Sequence, residues 1–246
     1  KKYIWITKIR ILRCTLYHYR IILKLNKAKG KITHWDYFHV NRETGYTQNH
    51  VFRVKFTSGK DKGKTLIMQV TYSDLKNKRV FISGGGSGIG ATIVEYFCEQ
   101  KSEVYFIDID IKSSNKLIKK IKKNGLRVPK CIECNILDVK KLQNIIKDIV
   151  SKKGAIHCLI NSAANDDRHT TEQVDEKYWE NRMGINLKHY FFAAQAVVKG
   201  MKKIKSGSIV NLSSVSWMLG EGDKVVYETA KSAVVGLTRT FAQEFG

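Results

Sequence analysis

From Lys78 to the end of the chain, two hydrophobic patterns alternate. Short runs at 79–83, 103–108, 130–135, 156–161 and 208–213, each with apolar residues at its centre, have the length of strands in a buried sheet. Between them, 89–100, 114–124, 139–152, 175–203 and 225–245 carry apolar residues three and four apart, as one face of a helix does. Gly125 is a stop signal after the second of these, and the length of 175–203 predicts a break inside it. Strands alternating with helices predict a doubly wound α/β (Rossmann) domain, a parallel sheet covered on both faces.

The first 67 residues lack this rhythm. Residues 3–25 are apolar but interrupted by Lys8, Arg10, Arg13, Arg20 and Lys24, and 51–56 and 65–71 predict two short strands around a turn near Gly59 and Gly63. No repeat, zinc-ligand spacing or helix-turn-helix pattern occurs there. The first methionine is Met68, and from it the text reads as a stand-alone α/β enzyme begins. The expectation is therefore a natural start at Met68, with 1–67 a basic extension foreign to the enzyme and 68–246 the cofactor-binding domain. The rivals for 1–67 are a nucleic-acid-binding arm and an Arg-rich transit peptide, the latter opposed by its scarce serine.

Charge supports that division. The 246-residue chain has a net charge of +22, which by itself suggests nucleic acid or an anionic membrane. Residues 1–67 hold 16 Lys and Arg against three acids, a net of +13, which leaves +9 for the rest. With most of the excess on the extension, nucleic acid is not the expected partner of the domain. No apolar run approaches the roughly 20 residues of a membrane helix. Five scattered cysteines fit a reducing, cytoplasmic setting better than a disulfide scaffold. Cys131 and Cys134 form a single CxxC on a predicted strand, where positions three apart face opposite sides, so no metal site is expected.

The chemistry begins at Ser83-Gly84-Gly85-Gly86-Ser87-Gly88-Ile89-Gly90, between a predicted strand and a predicted helix. Glycines there let the backbone turn sharply and approach a pyrophosphate, and the helix start offers free N–H groups to it. Asp108 ends the next strand, where a carboxylate can accept from the ribose hydroxyls of NAD and would repel the 2′-phosphate of NADP. Asp110 is its nearby competitor. Further on, Tyr227 and Lys231 lie four apart in a predicted helix and share a face. A nearby ammonium favours the phenolate of a tyrosine whose ordinary pKa is about 10. Ser214, 13 residues before Tyr227, follows the fifth strand.

This combination resembles the short-chain dehydrogenase/reductase family. SGGGSGIG is similar to its TGxxxGIG loop, with Ser83 in the Thr place, and Asn161-Ser162-Ala163-Ala164 stands where the family has Asn-Asn-Ala-Gly. Asn186, in GINLK, matches the asparagine that organises a proton-relay water. Ser214, Tyr227 and Lys231 match the catalytic trio. The resemblance implies cofactor contacts from Ser83, Gly84, Ser87, Gly88, Ile89, Gly90, Asp108, Asn135, Ile136, Asn161, Ala163, Tyr227 and Lys231, with Asn135 replacing the usual Asp at the adenine.

Within the family, residues 165–201 and the SWMLG before Tyr227 are similar to NAD-dependent sugar 1-dehydrogenases. That likeness implies hydride transfer from C1 of an aldose, a pentose such as D-xylose favoured, to NAD, giving the lactone. Asp167 and His169, with Arg168 between them, would meet the sugar, alongside Ser214 and Tyr227; as a plain alternative they form a solvated loop. Trp217 either stacks on the sugar ring or is core. The other readings are a reductase of a 3-oxoacyl thioester or a steroid, or an inactive cofactor-binding fragment. Family members are homo-oligomers, dimers or tetramers. They also continue past the helix that carries the tyrosine, so the domain is expected to be incomplete at its C-terminus.

Overall fold

A strand covered on both faces needs apolar residues pointing each way, and Val80, Phe81 and Ile82 at the middle of 79–83 supply them. The computed structural model describes residues 71–246 in full and, before them, the backbone of three strands. The chain divides into two units, Lys1–Thr71 and Tyr72–Gly246.

In the first unit, β1 (Ile32–His39), β2 (His50–Phe56) and β3 (Thr65–Gln69) form an antiparallel sheet in that order. The two expected strands are present, and β1 joins them at a place where no strand was expected. Met68 lies inside β3, where it pairs with Phe52. The apolar stretch 3–25 and the turn at Gly59 and Gly63 lie outside the described residues.

In the second unit, β4 (Arg79–Ser83), β5 (Glu103–Asp108), β6 (Lys130–Glu133), β7 (Cys158–Asn161) and β8 (Ser208–Asn211) form one sheet in the order β6-β5-β4-β7-β8. Every pairing in it is parallel. The helices are α1 (Gly88–Glu99), α2 (Ile111–Lys123), α3 (Val139–Lys153), α4 (Glu176–Met183), α5 (His189–Lys203), the short α6 (Ser216–Leu219) and α7 (Val225–Phe245).

Alternation along β4 and β5 sorts the core into two layers. Val80, Ile82, Val104 and Phe106 pack with Val94 and Cys98 of α1 and Leu117 and Ile121 of α2. Phe81, Tyr105 and Ile107 face the other way, onto Leu142 and Ile146 of α3, Val197 of α5 and Phe241 of α7. This is the doubly wound arrangement expected. The strand order reverses between β4 and β7, and in such sheets ligands bind outside the strand C-termini at that switch point.

Local chemistry sets several boundaries. Asp110 caps α2 by accepting from Ser113 N at 2.9 Å, so the helix begins before the expected 114. Gly125, with φ of 68°, ends it as expected. The break expected in 175–203 is a π-helical turn, Gly184–Lys188, rather than a loop. Such turns shift the register of the side chains beyond them.

Candidate active site

The cleft at the switch point has a volume of about 620 Å³, within the range of ligand pockets. Its walls come from the glycine loop, the C-terminal ends of β5, β6 and β7, the segment after β8, and α7.

On the loop side the site is built of backbone. Gly84 has φ of 69°, and a Cβ there would lie 2.6 Å from Ala163 Cα. A Cβ on Gly90 would run into the Gly84 carbonyl. These positions admit only glycine, and they leave a cradle without side chains at the start of α1, where free backbone N–H groups suit an anion. Asp108 closes one end. Its carboxylate accepts from Gly86 N at 2.8 Å and from Asp110 N at 2.9 Å. Asn135 and Ile136 line the next part of the cleft, and Asn135 Oδ1 also accepts from Leu137 N at 3.0 Å. Ser87, Gly88, Ile89 and Ala163 line it too.

On the opposite side the site is built of side chains. Tyr227 and Lys231 both line the cleft, with Lys231 Nζ 5.6 Å from the Tyr227 ring centre. Lys231 is only 2% exposed, and Nζ donates to Tyr190 Oη and to Leu212 O, each at 2.8 Å. Burial lowers the Lys231 pKa to about 8, against an opposing pull from Asp166. Its backbone carbonyl accepts from Ser213 Oγ at 2.7 Å.

Several expected site residues take other places. Ser83 is fully buried. Its Oγ accepts from Ser162 N and Ala163 N at 3.1 and 3.3 Å, so it ties the end of β4 to the segment after β7 and does not face the cleft. It also lies 3.3 Å from Nε2 of the buried His189. Burial, reinforced by Lys231, pulls the His189 pKa down to about 3, so the imidazole is neutral. Asn161 is also fully buried, donating to Asn211 Oδ1 at 2.8 Å. Asn186 is buried in the π turn and clamps Asn165 with both amide atoms: Oδ1 accepts from Asn165 N and Nδ2 donates to Asn165 O, each at 2.9 Å. Its side chain thus shapes the segment after β7. Ser214 Oγ lies 2.9 Å from Ser216 Oγ, and Ser213 rather than Ser214 lines the cleft.

The residues expected to meet the sugar engage the protein itself. His169 is buried. Val226 N donates to its Nε2 at 3.3 Å, so Nδ1 carries the proton and faces Asp167 O and Tyr178 Oη. It therefore secures the start of α7, one residue before Tyr227, and has no ring nitrogen left for a substrate. Asp167 pairs with Arg182 at 2.6 Å; its neighbour Asp166 lines the cleft instead. Arg168 pairs with Asp223 at 2.5 Å. Trp217, partly buried on α6, is not among the cleft-lining residues. Asp166, Ser213 and Tyr190 were missed, although Tyr190 follows Asn186 by four positions, a helical spacing that could have drawn attention to it.

Residues 78–246 match the short chain dehydrogenase family. The chain belongs to that family. This short chain dehydrogenase is 41% identical over 176 residues to D-xylose 1-dehydrogenase of Caulobacter vibrioides, covering 71% of this chain and 68% of that one. It is 38% identical over 175 residues to a Rhizobium meliloti protein described as "probable galactose dehydrogenase GalD", with the same coverage. Among solved structures it is similar to Thermoplasma acidophilum aldohexose dehydrogenase, with a TM-score of 0.63 and 28% identity over 71% of this chain and 64% of that one. Membership makes this chain an oxidoreductase whose cleft takes a nicotinamide cofactor, NAD or NADP, and the cradle without side chains at Gly84 and Gly90 fits one. Among the described residues no helix is long and apolar enough to cross a membrane, and no cluster of His, Cys, Asp or Glu could hold a metal.

Proposed function

We propose that this short chain dehydrogenase oxidises an aldose at C1 with NAD, giving the lactone, and that its substrate is a pentose such as D-xylose. The observation that carries the reading is the buried Lys231 ammonium beside Tyr227 on the cleft wall. The likeness to D-xylose 1-dehydrogenase supports the sugar.

Tyr227, as phenolate, takes the proton from the anomeric hydroxyl. Lys231 places a positive charge beside it, 5.6 Å from the ring centre. Ser214 orients the sugar oxygen through a hydroxyl it now shares with Ser216. Asn186 acts through Asn165, whose backbone it fixes at the cleft. The nicotinamide cofactor, when bound, accepts the hydride released from C1. Asp108 favours NAD, because its carboxylate beside Gly86 repels a 2′-phosphate. Enzyme of this kind belongs in the cytoplasm as a homodimer or homotetramer, which sedimentation of the purified protein tests.

Initial rates on D-xylose and D-galactose with NAD or NADP, and on a 3-oxoacyl thioester with NADH or NADPH, test the assignment. Turnover of the pentose with NAD is the expected result; thioester reduction would replace it with the reading favoured by a 31% identical 3-oxoacyl-(acyl-carrier-protein) reductase of Thermotoga maritima. Tyr227→Phe should reduce turnover about a thousandfold or more, with NAD affinity kept, as loss of a general base does. A Tyr227→Phe enzyme that still turns over would remove Tyr227 from the mechanism.

A further inference from the structure

The Lys231 ammonium has three protons. One goes to Leu212 O and one to Tyr190 Oη, which leaves one for the cleft. Tyr190 is fully buried, and its own proton goes to Leu212 O at 3.1 Å, so a lone pair of its oxygen is directed at Nζ. The Tyr190 ring also lies under the ammonium, its centre 5.1 Å from Nζ.

We propose that Tyr190 is a positioning residue for Lys231, its buried hydroxyl holding the ammonium where the third proton serves Tyr227 and the cofactor. The inference rests on reading Tyr227 as the acid–base group. The titratable groups facing Lys231 are Tyr227 on its own helix, Tyr190 and His189 on α5, and Asp166 after β7. Burial, with Tyr227 adding to it, raises the Tyr190 pKa, so Tyr190 stays a neutral phenol and does not compete for the proton. His189 is neutral, so Lys231 supplies the positive charge of this group. Without Tyr190 Oη the ammonium loses an acceptor and is both less fixed and less favoured. Each change weakens its hold on a Tyr227 phenolate.

Tyr190→Phe keeps the ring and removes only the hydroxyl, and Leu212 O still receives Lys231. Ultraviolet difference titration of tyrosinate, with Tyr227→Phe as the subtracted reference in each background, isolates Tyr227. In Tyr190→Phe, Tyr227 should titrate about one pH unit higher, and turnover should fall about tenfold, the effect of one charge-assisted hydrogen bond. An unmoved Tyr227 titration overturns the proposal. If the parent protein oxidises no sugar and reduces no carbonyl, the functional reading fails while the titration still judges Tyr190. Should Tyr190→Phe fail to fold, rescue by Lys231→Met supports the coupling, and a double variant that also fails to fold overturns it.

Discussion

The glycine loop and the Tyr227–Lys231 cluster face the same cleft but are built from opposite materials. The loop is shaped by what is missing: at Gly84 and Gly90 a single methyl group would collide with Ala163 or with the loop's own carbonyl. The cluster is shaped by what is buried: a lysine nearly out of water, held by a phenol and a carbonyl from two other elements. A loop of this kind is a local device, set by eight consecutive residues and the strand before them. The cluster is a tertiary one, since α5, the segment after β8 and α7 must all arrive. The difference also has an energetic side. The loop's form is inexpensive because glycine tolerates positive φ. The cluster keeps a charge in a poor solvent, which costs stability.

The largest expected effect would break the loop side. Gly90→Ala puts a methyl group onto the Gly84 carbonyl, so the loop must move. Cofactor affinity should fall about a hundredfold, as misplaced binding groups cause, and stability by roughly 1–3 kcal/mol from overpacking. Fluorescence titration with NADH and a denaturant melt measure the two; ordinary affinity in Gly90→Ala would show that the loop does not hold the phosphates.

An effect of similar size but opposite sign should appear in the cluster. The folded Lys231 pKa, about 8, lies below its ordinary 10.5. Between those values the unfolded chain binds more protons, so stability should rise with pH across that window. Below about pH 8 the full penalty applies, about 3 kcal/mol for a shift of this size. Lys231→Met should therefore be more stable than the parent near pH 7 by roughly 1–3 kcal/mol while turnover is lost. The rise in stability from pH 8 to 10 should flatten correspondingly. Urea melts at the two pH values test this, and a Met variant less stable at pH 7 would mean that the lysine's hydrogen bonds outweigh its burial.

A smaller change sharpens the boundary between the two halves. His169→Phe keeps the ring beside Tyr178 but leaves Val226 N without its acceptor. Stability should fall by about 1–2 kcal/mol. Turnover should fall several-fold through the start of α7, with NADH affinity unchanged because the glycine loop lies on other elements. A matched loss of affinity in the same titration would show that the two halves are coupled.

How legible each part was follows from how local it is. The strands 79–83 and 103–108 and the helix 225–245 end where the residue pattern places them, because an apolar run or a periodic face stops there. The strand β1 was not visible, since its mixture of His, Trp, Asp and Tyr has no clear alternation. At 208–213 the apolar pattern runs past the last pairing with β7, so the strand ends at Asn211 and Ser213 turns to the cleft. Among site residues, Gly84, Gly90, Asp108, Tyr227 and Lys231 lie where their spacing put them. His169 and Asp167 do not, because a polar residue near a site is equally suited to holding the site's own backbone.

Sequence alone determined the doubly wound layering, the glycine cradle and the shared face of Tyr227 and Lys231. Each is a relation among residues a few positions apart, governed by helix and strand periods or by the absence of a Cβ. Tertiary structure decided which polar groups are engaged inside the protein and which line the cleft: Ser83, Asn186 and His169 on one side, Asp166 and Ser213 on the other. It also decided the partners of Lys231, 41 residues from Tyr190. Hydrogen bonding and burial are properties of a three-dimensional neighbourhood, and a residue's type states only what it can do there.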